Sequence, residues 1–527
     1  MTTLTINGNN LSINDVYNVA LNNQKVNLPE DAEFWETLSK SRKFLEDYIA
    51  TGVPTYGVTT DFGDSCDNQI SVDKAGELQR TICTYHGIGL GPKFSREIGR
   101  AVILCRLNGN IKGGHSAIRP ELAKMMLTML NKDIIPVIPQ LGSVGASGDL
   151  TPLSYLAAAI MGERTVYYKG KIVQTMEAFN SEGITPLPIE AKEGLALMNG
   201  TSVMTAVASL ALKSAERLAN ISDFLTAVTS EITKGKDTPF VPKVSEIKNH
   251  KGQCESAAYI YNIIKDSKRV FKYEDFLSSQ IDSLDGKGFR KQQNKIQDRY
   301  SIRCAPQING VYRDTLNIAK NWITEELNSA NDNPLVDIEA NRLYNTGNFY
   351  GGHICAACDY MRTALANISD LSDKQAEVII DGKFNGLTEN LIPYTPDDHP
   401  RAGLRLGFKA AQITISAIRG EVATYCFPVS LTSAPTEALN QDKVSMGTIS
   451  ARKFSEQIEL VYLQFATHLL AAMQAIDLAG KNDFSPFTQN IHSEIRKLSA
   501  FVEDDRVLDK EAEAVAEWLK TTSYFGE

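Results

Sequence analysis

Several stretches of this 527-residue chain carry residue types at spacings that could do chemistry. Cys355 and Cys358, with His353 just before them, make half of a zinc site. No second CxxC pair exists, however, and the stretch GGHICAACDYM opens an apolar helix, so the two thiols read as buried core. The seven histidines, at 86, 115, 250, 353, 399, 468 and 492, show neither HxxxH nor HExxH spacing, and no metal is expected. His468 falls in the middle of an apolar helical run and reads as a core residue with its hydrogen bonds met. Gly87, Gly89 and Gly91 form a turn or packing cluster without a Walker sequence, so no nucleotide is expected either. Gly142-Ser143-Val144 is followed by Gly145 and Ala146, which is not the pattern of a nucleophile elbow. What remains is 141–155, LGSVGASGDLTPLSY. On spacing alone its Ala146-Ser147-Gly148 is a Gly/Ser turn ahead of a helix starting near Leu153.

The elements that must position these residues follow from periodicity. Residues 3–6 alternate like a short strand and run into the turn dipeptide Asn7-Gly8, and Ser12 can cap a short helix carrying Val16, Val19 and Ala20. Residues 50–70 are Gly-, Thr-, Asp- and Asn-rich, a loop too long to be a mere connection. Residues 164–173 flank Lys169-Gly170 with β-formers, a hairpin signal. From about residue 190 the pattern is helical. Apolar or small residues from 203 to 232 recur in steps of three and four, one face of a helix stopped by Gly235 and Pro239. A similar run covers 449–476 and ends at Gly480; further helical patterns fit 311–329, 352–382, 405–425 and 508–520. Helices about thirty residues long with one apolar stripe bury it against each other, so the second half should be a bundle. Length alone would suggest three or four domains. Composition is that of an ordinary globular protein, with 43% apolar and 22% charged residues. A net charge of −9 gives no reason to expect nucleic-acid binding. With no apolar run of membrane-spanning length, no secretory signal and eight Cys, a cytoplasmic protein without membrane association is expected.

In context, GSVGASGDLxPLS resembles the histidine, phenylalanine and tyrosine ammonia-lyases and related aminomutases. Six further blocks follow the family's order. Residues 56–63, YGVTTDFG, resemble the family's YGVNTGFG loop, and 197–201 match LxNGT. Residues 297–307 match QDxYSxRCxPQ, and 329–334, SANDNP, resemble SATDNP. Residues 347–351, GNFYG, resemble GNFHG, and Asn440-Gln441-Asp442 falls in the NQD segment.

The resemblance implies that Ala146, Ser147 and Gly148 close into a methylideneimidazolone (MIO) ring. Glycine on the attacking side and alanine on the attacked side leave the backbone free to reverse tightly. An electrophile made from backbone replaces a bound cofactor. By the same resemblance Tyr56 is the base that removes a β-proton. A phenol ordinarily titrates near ~10, so positive charge or hydrogen-bond donors must stabilise its anion. Arg303 would grip the substrate carboxylate through its two-pronged guanidinium. Tyr300 would share a helical face with Arg303 if that segment is helical, and would assist at the amine. Asn199, Gln297 and Asn348 would supply neutral hydrogen bonds, and Phe349 would form part of the pocket wall. Thr59, Asp61 and Tyr350 depart from the family's pattern, and Asp61 brings a negative charge near the proposed base.

Two places bear on the substrate. Tyr85-His86 aligns with the segment where histidine lyases have Ser-His, phenylalanine lyases Phe-Leu and many tyrosine lyases His-Leu. A histidine there can bond a phenol hydroxyl or a substrate imidazole but would be left unpaired beside phenylalanine. Gln441 stands where histidine lyases carry Glu, and a neutral amide suits imidazolium poorly. Elimination of ammonia from L-tyrosine to give trans-p-coumarate is the resulting expectation. Tyrosine 2,3-aminomutase, histidine ammonia-lyase and phenylalanine ammonia-lyase are the alternatives. The implied fold is mainly α, in the ammonia-lyase/fumarase-like superfamily. Residues 1–190 would form an N-terminal domain with short strands, holding the Tyr56 loop and the MIO tripeptide. Residues 191–527 would form a long helical bundle. The implied assembly is a homotetramer whose active sites draw residues from three subunits.

Overall fold

The computed structural model describes residues 2–526 except 279–283, 285 and 292–294. The chain is mainly helical, as the long periodic runs predict. The run from 203 is the helix Ser202–Ile232, and the run at 449–476 is Gly447–Ala479, ended by Gly480 at φ +83°. The other patterns correspond to Ala305–Leu327, Gly352–Ile380, Lys409–Thr424 and Asp509–Thr521. Strands are few and short. Thr165–Tyr168 and Lys171–Gln174 form the expected hairpin. Leu4–Thr5 instead pairs in parallel with Val26–Asn27, and Asn7-Gly8 is no hairpin turn. Gly8, at φ +89°, donates its N–H to Asn108 Oδ1 at 3.0 Å.

By its packing the chain divides into two units. The first comprises Met1–Lys213, Ile318–Asp359 and Phe427–Ser455; the second comprises Ser214–Asn317, Tyr360–Cys426 and Glu456–Glu527. Four long helices, Ser202–Ile232, Ala305–Leu327, Gly352–Ile380 and Gly447–Ala479, each contribute residues to both.

In the first unit, Ser12 opens Ile13–Leu21 through a capping box with Asp15. The helix Arg96–Ile111 is buried continuously from Gly99 to Ile111, Arg100, Arg106, Asn108 and Asn110 included. With arginine, asparagine and glycine mixed among its buried apolar positions, it carries no apolar stripe for periodicity to reveal. A small core of Cys355, Val429, Val444 and Met446 packs under Val144 and Ala146. Cys355 and Cys358 are buried thiols on one helix, as read from the sequence.

In the second unit the bundle is cross-braced by buried polar groups. Tyr312 and Tyr462 donate to the carbonyls of Ala215 and Ser214, each at 2.9 Å. His468 is a core residue as expected, but only half satisfied: its Nδ1 lies 2.9 Å from Ser372 Oγ, its Nε2 has no partner among the described residues, and burial pushes its pKa down to about 3. Asp223, wholly buried, accepts from Ser256 Oγ at 2.5 Å, Asn309 Nδ2 at 2.6 Å and Arg313 Nη2 at 2.6 Å. No helix among the described residues is long and apolar enough to cross a membrane. Deleting one partner of a buried ion pair leaves the other's charge uncompensated, at a cost of ~3–5 kcal/mol. Asp223→Ala should therefore lower the melting temperature clearly, and Asp223→Asn less, as read by calorimetry.

Candidate active site

The turn at Ala146-Ser147-Gly148 is held by backbone on backbone. The strand Pro139–Leu141 leads into it, and Gly145 pairs with Gly148 across a tight reversal. Gly145, Ser147 and Gly148 have φ of +76°, +51° and +78°; only glycine takes such values without strain, so Ser147 is held there by its neighbours. Gly200 N–H donates to the Ser147 carbonyl at 3.1 Å, and the Gly200 carbonyl accepts from Asp149 N–H at 2.8 Å. A Cβ on Gly148 would lie 2.2 Å from the Gly200 oxygen, so no side chain fits there. Asn199, beside Gly200, is buried, and its Oδ1 has no donor among the described residues.

Asp149 fixes this turn to two helices. One of its oxygens accepts from the N–H groups of Val203 and Met204, at 3.0 and 2.8 Å, in the first turn of Ser202–Ile232. The other accepts from Ser143 Oγ at 3.0 Å and from Thr448 Oγ1, in the first turn of Gly447–Ala479. Burial raises its pKa, and these donors act in the opposite direction. The helix that follows the turn begins at Leu150, three residues before the predicted start.

A cavity of about 330 Å³ in the first unit is lined by Tyr56, Ala146, Ser147, Phe349 and Gln441, all singled out from the sequence, and by Tyr350 and Asn440. Tyr56 Oη accepts the Gly63 N–H at 3.0 Å. Its pKa is raised, chiefly by burial; the Gly63 bond lowers it, while Glu437, Cys66 and Asp61 raise it further. Asp61 turns its carboxylate onto the Phe62 N–H at 2.9 Å. Glu437 accepts the Asp64 N–H at 3.1 Å and heads three consecutive left-handed residues, Glu437, Ala438 and Leu439, at φ +50°, +49° and +69°. Gln441 Oε1 accepts from Thr436 Oγ1 at 2.7 Å.

The other expected residues do not line this cavity. Asn348 borders a cavity of about 650 Å³ that also includes Tyr350, and donates to the Ala330 carbonyl at 3.3 Å. Tyr85 ends the helix Ala75–Tyr85 with 56% of its surface exposed. Its hydroxyl is pushed up to about 12 by burial, Glu437, Asp61 and Tyr56. His86 stacks on Tyr85 with ring centroids 4.2 Å apart; its Nδ1 is 3.0 Å from the Ile82 carbonyl, and burial lowers its pKa. Gln297 and Arg303 line a cavity of about 530 Å³ in the second unit. Tyr300–Arg303 is a short helix, and Arg303 stacks over Tyr300 at 4.7 Å, so the two share a face as expected. Tyr300 is 71% exposed.

Glu437, Asp149 and Gly200 were not singled out from the sequence as site residues. Asp149 had a signal, an N-cap residue type ahead of an apolar run, but it caps a helix that begins more than fifty residues later. Nothing local marks Glu437.

The family model described as aromatic amino acid lyase matches residues 11–497. A histidine ammonia-lyase from Geobacillus sp. (strain WCH70) is 34% identical over 98% of this chain and 96% of its own length. Among solved structures, tyrosine aminomutase from Streptomyces globisporus superposes with a TM-score of 0.93 at 34% identity, covering 98% of this chain and 97% of that one. Pantoea agglomerans phenylalanine aminomutase gives 0.92 at 31% identity, covering 99% and 100%.

Replacing Glu437 by Gln removes a negative charge that raises both Tyr56 and Tyr85. Both phenols should then titrate at lower pH. Ultraviolet difference titration of the variant, with Tyr56→Phe to assign the signal, checks this; an unmoved Tyr56 would show that the charge does not reach it.

Proposed function

This chain is a carbon–nitrogen lyase belonging to the aromatic amino acid lyase family, and from that premise we propose that it eliminates ammonia from L-tyrosine to give trans-p-coumarate. The observation that carries the reading is that Tyr56, Ala146 and Ser147 line one cavity. The turn is suited to ring closure: Ser147 is already left-handed, Gly148 lies against Gly200 with no room for a side chain, and Asn199, next to Gly200, has a buried amide oxygen with no donor among the described residues. The methylideneimidazolone formed there from Ala146, Ser147 and Gly148 would supply the electrophile that makes an amine nitrogen a leaving group.

Tyr56 would take the β-proton at Oη, with the Gly63 N–H holding the phenolate. Within one chain the balance of burial, Glu437 and Asp61 keeps the phenol protonated, so a base at Tyr56 needs a compensating cation. Arg303 is our assignment, acting also as the clamp for the substrate carboxylate, with Tyr300 and Gln297 beside it. A homotetramer with active sites built from three subunits would bring them in, residues 1–190 carrying the turn and Tyr56 and residues 191–527 the shared helical core. Large apolar side chains left exposed, Tyr300, Ile413 and Leu431 among them, support such an assembly. Asn199 and Asn348 would add neutral hydrogen bonds, and Phe349 would wall the substrate ring.

Two details favour tyrosine. Gln441 is neutral, and with its oxygen engaged by Thr436 it offers N–H donors, which suit no imidazolium. If Nδ1 of His86 donates to the Ile82 carbonyl, Nε2 is left as an acceptor for a phenol O–H, with Tyr85 stacked alongside. The likeness to tyrosine aminomutase favours a second reading, in which the amine is returned to the β-carbon and a β-amino acid results.

Intact-protein mass should fall two waters short of the translated chain, and an unmodified mass would refute the ring. Tyr56→Phe should keep that mass while losing turnover. Product analysis with tyrosine, phenylalanine and histidine separates coumarate, cinnamate, urocanate and β-amino acids. His86→Leu should reduce the preference for tyrosine over phenylalanine by roughly tenfold or more; an unchanged ratio would remove His86 from phenol binding.

A further inference from the structure

Arg106 lies in the helix Arg96–Ile111 and is wholly buried. Its Nη1 donates to Asn331 Oδ1 at 3.0 Å and Ser202 Oγ at 3.5 Å, and its Nε to Asn110 Oδ1 at 3.3 Å. All three partners are neutral, and Nη2 has no acceptor among the described residues. The two carboxylates that bear on its charge, Asp332 and Asp149, are committed elsewhere. Asp332 holds Lys192 Nζ and Ser116 Oγ, and Asp149 holds Ser143, Thr448 and two backbone N–H groups. A buried guanidinium without an ion pair is costly to the fold, so its position calls for a purpose.

The purpose lies at Gly200. A Cβ on Gly200 would be 1.9 Å from Arg106 Nη1, so the guanidinium sits directly on this residue's main chain. Gly200 is the residue whose N–H donates to the Ser147 carbonyl. We propose that Arg106 is a positioning residue for ring formation: its positive charge, packed on the Gly200 main chain, favours negative charge on the Ser147 carbonyl that the Gly200 N–H holds while the tripeptide dehydrates. This rests on the ring reading above and deepens it.

The balance of the reaction shows where such a charge matters. The Gly148 nitrogen bonds to the Ala146 carbonyl carbon. That carbonyl oxygen leaves as water with the amide protons of Gly148 and Ser147, and a C=N bond remains. The Ser147 Cα–H then departs as a proton, its electron pair forms Cα=Cβ, and the Cβ–O bond breaks to release the second water. No oxidant is needed. As the Cα proton leaves, negative charge spreads onto the Ser147 carbonyl oxygen, the atom the Gly200 N–H already holds.

The test is intact mass against time after synthesis of the full chain, with circular dichroism as the check on folding. Arg106→Gln should form the ring about tenfold more slowly or worse, leaving unmodified chain in fresh protein, and Arg106→Lys should restore it. Asn331→Asp keeps the arginine but sets a carboxylate against it, so it should reproduce the defect even if Arg106→Gln fails to fold. Ring formation at the wild-type rate in Asn331→Asp, or an equal defect in the Lys and Gln variants, overturns the proposal. A wild-type chain that never loses two waters sinks the ring reading itself. A wild type that does, alongside unaffected variants, removes Arg106 alone.

Discussion

A carboxylate with no water around it must be met by hydrogen bonds from within the protein, and Asp149 is met on every side. Each hydrogen bond to a buried charge is worth ~1.5–3 kcal/mol, and a helix N-terminus adds to it through its dipole. The donors come from the start of Ser202–Ile232, from Thr448 at the start of Gly447–Ala479 and from Ser143 in the turn's own loop. Two helix starts and the Ala146-Ser147-Gly148 turn are thereby fixed to one atom group. The left-handed Ser147, the Gly148–Gly200 contact and the floor of the cavity follow from it. The small apolar cluster beneath Ala146 completes the support.

Around Tyr56 the electrostatics run against the phenolate. One N–H stabilises it, while burial and the carboxylates of Glu437 and Asp61 oppose it. On the proposed reading, a base there would be quiescent in the isolated chain and would become useful only when a cation is added. The cationic and aromatic pair Arg303 and Tyr300, stacked on each other with Tyr300 largely exposed, has the chemistry to supply it from another copy of the chain. Assembly would then act as the event that arms the site.

The long helices were legible because apolar or small residues recur on each in steps of three and four, a period that survives even in Ser202–Ile232, where no residue is exposed. Arg96–Ile111 was hidden because its buried positions mix arginine, asparagine and glycine with leucine. The parallel pairing of Leu4–Thr5 with Val26–Asn27 was hidden because two-residue strands leave no pattern. In the cavity, Tyr56, the tripeptide, Phe349 and Gln441 could be picked out because they sit in ordered sequence blocks. Glu437, whose charge bears on Tyr56, could not, since its effect depends on a left-handed loop that no residue type there requires. Asp149 fell between these cases, its residue type visible and its partner distant.

The contact between Gly148 and Gly200 has a bearing on how such a protein can change. It is made of main chain alone, and any side chain at either position collides, with the opposite backbone in one case and with Arg106 and Asn331 in the other. Mutation thus has no graded adjustment to offer at the turn; it can only keep it or lose it. Gln441, Phe349, Tyr85 and His86, on the proposed reading, would act through side chains, which can be exchanged in small steps. A lineage built on this scaffold could wander among aromatic substrates while its reactive turn stayed still, because the two are made of different parts of the polypeptide.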